Sequence, residues 1–152
     1  AVVASAGNSG TTRPMYPAAF ASAPADPGRV PQITVGALNA DGSSVAYFSN
    51  AGPWVTTHRI GASLVSTVPK TLAGDAQPAA ELTYKGPFRS TPDPDTYTSG
   101  FATWSGTSFA GPVLAGEIAN AVLADPDLTT LTQAAFVGRG QRAVDAAVGG
   151  RP

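Results

Sequence analysis

The chain has 152 residues, enough for one domain with a real core and too few for a second full one. Hydrophobic residues make up 43% and charged residues 12%, which suits a globular protein and argues against disorder. The net charge is −1 and the nine basic residues are scattered, so neither nucleic acid nor a membrane surface is expected as a partner; without cysteine, disulfides, thiol chemistry and Cys-ligated zinc are excluded.

Ala1–Ala6 is a short apolar run stopped by Gly7-Asn8-Ser9-Gly10, the pattern of a buried parallel strand ending in a glycine turn. It has no basic leader and no long apolar run, and such a core strand at the very start leads us to expect that the natural protein begins earlier. Residues 11–30, rich in Pro, Ala and Gly, read as a surface loop. Ile33–Leu38 is a second apolar strand, and Asn39–Gly42 a turn. Val45–Ser49 alternates weakly and is expected as a strand, followed by a turn at Asn50–Pro53. Trp54–Thr57 and Ser63–Thr67 are β-branched enough for two more.

Between about residues 70 and 98 the composition changes. Four prolines, few large apolar residues and several charges predict a loop insertion or a small inserted element. Ser108–Ala124 reads as a buried helix, with Pro112 in its first turns and Pro126 after its end. Asp127-Leu128-Thr129 can cap a last helix to about Val137, which Gly138–Gly140 should end; Arg142–Val148 is a short terminal segment. Strands followed by helices entered from strand ends make an α/β layout, whose sites form where strands finish and helices begin. Gly7-Asn8 and Thr107-Ser108 both occupy such ends.

The chemistry concentrates at these two places. In Ser105-Gly106-Thr107-Ser108 a hydroxyl sits between a glycine turn and a small-residue helix, a way to expose a nucleophile with its own N–H facing a developing oxyanion. Taken alone, Ser108 also suits a helix cap, and Thr107 suits either a cap or an extra hydroxyl at the oxyanion site. Asn8 is a candidate second donor, though N-S-G by itself also suits a tight turn.

The run G-T-S-x-A-x-P at residues 106–112 resembles the nucleophile segment of the subtilisin-like serine proteases, the subtilases. Ala4–Gly10 is similar to their A-A-G-N-x-G. Supporting segments follow in the family's order: Tyr16-Pro17 with Pro31–Ala37, Ala46–Pro53 as A-x-F-S-N-x-G, Ala62–Pro69, and Gly140–Ala146. The resemblance implies catalytic Ser108 and Asn8 with oxyanion support from Thr107. It also implies a substrate-binding wall at Ser5, Ala6 and Gly7, a polypeptide substrate, and a secreted or cell-surface location. It admits structural calcium, for which Asp93 and Asp95 are weak candidates without further acidic ligands, so no metal ligand is assigned.

A serine triad also needs a base and an orienting carboxylate. The family places Asp, then His, ahead of the Asn segment, and no D-S-G, D-T-G or H-G-T-H stands in this sequence. The chain is therefore expected to be the C-terminal portion of a subtilase peptidase domain. That makes it part of a subtilisin-like parallel-sheet sandwich lacking the N-terminal strands and helices, inactive alone and partnered by the missing N-terminal half. His58, the only histidine, lies where the family has an apolar residue followed by A-P-G, and reads as a partly buried or surface side chain rather than a base. The competing hypothesis is a non-catalytic subtilase-like binding or assembly module, which the missing triad members favour and the intact Asn8 and Ser108 oppose.

Overall fold

A computed structural model describes residues 1–149. Its residues group into two compact units, one of Ala1–Leu64 with Ser105 onward and one of Val65–Trp104.

The first unit is built on three parallel strands, β1 (Val2–Ser5), β2 (Gln32–Leu38) and β3 (Thr57–Ile60), in the order β1-β2-β3. Ser5 pairs with Val35, and Gly36 with His58. A parallel sheet must be covered on both faces, and the alternation of β2 shows how this is done. Ile33 and Val35 pack against Ala110, Leu114 and Ile118 of helix α1 (Thr107–Leu123) and against Ala143 and Val144 of helix α2 (Gln133–Gly149). Fully burying a side chain such as Ile33 or Leu114 contributes about 1.5–3 kcal/mol. On the other face, Ala6, Ala18, Ala19 and Trp54 form a second cluster. There the Thr34 hydroxyl donates to Ala18 O at 2.5 Å, holding a five-residue 3-10 helix, Ala18–Ser22, within the expected 11–30 loop.

Three expected elements differ. Val45–Ser49 is not a strand: Val45 makes a single antiparallel bridge to Leu38, and Ser49 N–H closes a turn on Ala46 O. The Ser49 hydroxyl accepts from Ala37 N–H, so a side chain takes the bond a ladder would use. The strand expected at Trp54–Thr57 starts instead at Thr57, because Trp54 turns in to join the second cluster and donates from Nε1 to Thr12 O at 3.2 Å. The last helix begins after Asp127 rather than at it. Asp127 Oδ1 accepts from the N–H groups of Thr129 and Thr130 in a closed turn, and α2 then runs straight through Gly138 and Gly140. Gly140 is there for close packing, since a Cβ on it would stand 2.5 Å from Val30 Cγ2.

The second unit pairs β4 (Leu64–Thr67) with β7 (Phe101–Trp104). Between them lie an antiparallel pair, β5 (Glu81–Leu82) and β6 (Arg89–Ser90), and one bridge from Ala73 to Thr96. Ala102 is its one buried hydrophobic residue, which fits the proline-rich, core-poor composition of residues 70–98.

Candidate active site

The corner between β1 and α1 brings the two chemical motifs together. Ala6 N–H extends the ladder to Val35 O at 2.9 Å, and the chain then leaves the sheet at Gly7, whose φ of +99° excludes other residues without strain. A Cβ there would also lie 2.1 Å from Met15 Cε. From the other side, Gly106 N–H donates to Gly61 O at 2.7 Å and sets the entry to α1.

Thr107, the first helical residue, is 1% exposed and joins the two sides. Its N–H donates to Asn8 Oδ1 at 2.9 Å, and its hydroxyl donates to the same oxygen at 3.0 Å. The hydroxyl in turn accepts from Gly7 N–H at 3.0 Å. These partners orient the Asn8 amide by elimination. The Thr107 N–H can only donate, and the hydroxyl, already accepting from Gly7, also donates, so the atom facing them is the carbonyl oxygen. Asn8 Nδ2 is left with both protons available, and Asn8 is exposed. Ser5 Oγ donates to Thr107 O at 3.1 Å, tying the strand to the helix once more.

Ser108 is exposed at the second position of α1, where a backbone N–H has no intrahelical acceptor. The 17-residue helix adds partial positive charge at this end. The corner therefore presents a hydroxyl, an oriented side-chain amide and a free backbone N–H, a set suited to an oxygen that gains negative charge. Of the expected wall, Ala6 is buried, and Ser5 and Gly7 are half-buried.

His58 belongs to the other face of the sheet. It packs on Gly36, where a Cβ would stand 2.5 Å from its Cδ2, and its Nε2 is buried without a hydrogen-bond partner. Burial pushes its pKa below the usual imidazole value, so the ring is neutral at pH 7. The next residue, Arg59, points to the helices and is 4% exposed. Its Nε donates to Glu117 Oε2 of α1 at 2.8 Å and its Nη2 to Ala147 O of α2 at 2.7 Å, while Nη1 donates to His58 O. Sequence reasoning missed this clamp; an arginine on a short strand, matched by the lone charged residue of a buried helix, was the available signal.

The acidic pair serves its own loop. Asp93 accepts from Asp95 N–H and the Thr96 hydroxyl, and the latter bond foremost holds its carboxyl below the usual range. Asp95 accepts from Ala76 N–H. Among the described residues, no three His, Cys, Asp or Glu side chains are grouped to hold a metal ion, and no helix is long and apolar enough to cross a membrane.

No curated protein matches the chain. Among solved structures it is similar to a cold adapted subtilisin-like serine proteinase, with 25% identity over 86% of this chain and 34% of that one at a TM-score of 0.48. It is also similar to a lanthipeptide protease, at 19% identity over 80% of this chain and 35% of that one with a TM-score of 0.51, and the two share a fold. The chain thus spans about a third of the length of these structures. The family model described as the subtilase family matches residues 1–144, and on that match the chain belongs to the subtilases.

Proposed function

We propose that this chain is the nucleophile-bearing, C-terminal portion of the peptidase domain of a subtilisin-like serine endopeptidase. Ser108 Oγ attacks the carbonyl carbon of a peptide bond. A histidine from the part of the domain preceding residue 1 takes the hydroxyl proton, and an aspartate from that part holds the histidine. The carbonyl π electrons move onto oxygen, where the Asn8 Nδ2–H and the Ser108 N–H stabilise them. When the intermediate collapses, the C–N bond breaks, the histidine returns the proton to the departing amine, and an acyl-Ser108 remains for water to hydrolyse. Ser5, Ala6 and Gly7 would wall the pocket for the residue before the cleaved bond.

One observation supports this reading above the others: Thr107 holds Asn8 by its oxygen, so the amide protons stay free beside the first turn of the helix that carries Ser108. A plain turn asparagine would not need that lock. The one histidine of the sequence, His58, packs on Gly36 on the other face of the sheet, and the chain alone is predicted to be inactive.

A fluorophosphonate probe on the full-length product tests the proposal. The expected result is one adduct, mapped by mass spectrometry to Ser108, and none on residues 1–152 expressed alone. A full-length product that stays unlabelled under conditions that label other serine proteases would overturn it.

A further inference from the structure

The segment Ala46–Pro53 takes no part in the chemistry above, yet one of its side chains serves the turn that carries Asn8. Asn50 is fully buried, at 0% exposure. A buried amide left without partners is costly, and every polar atom of Asn50 is used. Four of its bonds go to residues 6–11, and a further contact runs from Nδ2 to Met15 Sδ at 3.8 Å. Its Oδ1 accepts from Ser9 N–H at 3.0 Å and Thr11 N–H at 3.2 Å. Its Nδ2 donates to Ala6 O at 2.8 Å, and its backbone N–H donates to Gly7 O at 2.8 Å. The partners stand on both sides of Asn8 along the chain. Asn50 is itself held to the central strand through Ser49, whose hydroxyl donates to Asn50 O at 3.0 Å and accepts from Ala37 N–H at 3.0 Å.

We propose that Asn50 is a positioning residue for the oxyanion hole, clamping the 6–11 turn from the sheet side while Thr107 holds Asn8 from the helix side. The inference rests on Asn8 being the oxyanion donor. Thr107 fixes the orientation of the Asn8 amide and holds the turn's backbone at one point, Gly7 N–H. Asn50 fixes that backbone through Ala6 O, Gly7 O, Ser9 N–H and Thr11 N–H. A catalytic group displaced by about 1 Å loses about 10²-fold in rate, so this support should be visible in kcat.

The test is steady-state hydrolysis of a peptide amide by the full-length protease, comparing Asn50→Ala, Asn50→Ser, Asn8→Ala and the double variant Asn8→Ala/Asn50→Ala, each with a thermal melt. Asn50→Ala should lower kcat by about 10–100-fold and leave KM within about threefold. In the Asn8→Ala background the same change should cost less than about threefold, because the donor it positions is already gone. If Asn50→Ala does not fold, Asn50→Ser carries the same comparison. An undiminished loss in the Asn8→Ala background, a loss confined to KM, or an unchanged kcat would overturn the inference and leave the roles of Asn8 and Ser108 standing. Failure of both Asn50 variants to fold would assign the residue to stability and also overturn it. A wild type without Ser108-dependent turnover would overturn the inference together with the reading beneath it.

Discussion

The turn at Gly7–Gly10 and strand β3 each hold a polar side chain at the sheet, and they treat it in opposite ways. At Asn8 one end of the amide is consumed by Thr107 and the other is exposed and unused. At His58 the ring nitrogen Nε2 is buried against Gly36 and has nothing to bond. The first arrangement is preorganised, since its orientation is settled before any substrate arrives and costs nothing at the moment of reaction. The second pushes the imidazole toward its neutral form and keeps it on the face away from α1, the helix that carries Ser108. A polar residue near a sheet is therefore not a candidate by chemistry alone. Its face and its remaining hydrogen-bond capacity decide.

Three substitutions in the full-length protease would break or sharpen this contrast. Ser108→Ala should remove essentially all turnover; in subtilisin, loss of the nucleophile costs about 2 × 10⁶ in kcat. Retained amidase activity would place the nucleophile elsewhere. Thr107→Val keeps the shape but strips the hydroxyl from Asn8 and leaves Gly7 N–H unpaired in a part-buried site. It should lower the melting temperature by the equivalent of about 1–3 kcal/mol and reduce kcat by about tenfold as Asn8 loosens. An unaltered kcat would mean that the Thr107 N–H alone suffices to hold the amide. His58→Gln should change kcat by less than about twofold at neutral pH, since the ring lies outside the site.

His58 has its main effect on the pH dependence of stability. Its folded pKa lies below the unfolded value of 6.5, so between the two the unfolded chain binds more protons and stability rises with pH. The penalty is fully present below the folded pKa and gone above about pH 6.5. Denaturation midpoints measured across that window should rise in the wild type and flatten in His58→Gln. Parallel curves for the two proteins would show that the buried nitrogen finds a partner on protonation.

Much of the local structure that carries the candidate site residues could be read from the chain, because the signals for it are local. Short, mostly apolar runs mark β1 and β2, glycines mark the turn at Gly7 and the approach at Gly106, and small residues mark α1 as a buried helix. What escaped depends on contacts between distant segments. Arg59 and Glu117 pair across 58 positions, and only the closed fold shows that they compensate each other. Gly140 looks like a helix stop until Val30 is seen lying against it. Ser49 reads as the end of a strand and Asn50 as the start of a turn, yet the Ser49 side chain takes a ladder bond and that of Asn50 braces another turn. In each case tertiary packing outweighed a local preference that was itself correctly judged.

The most direct measurement is kcat and KM for Asn8→Ala in the full-length protease on a peptide amide. With Asn8 as oxyanion donor, kcat should fall by about 10²–10³, as it does in subtilisin on losing the corresponding amide, while KM stays nearly constant. A kcat within a few-fold of wild type, or a loss carried wholly by KM, would contradict that role.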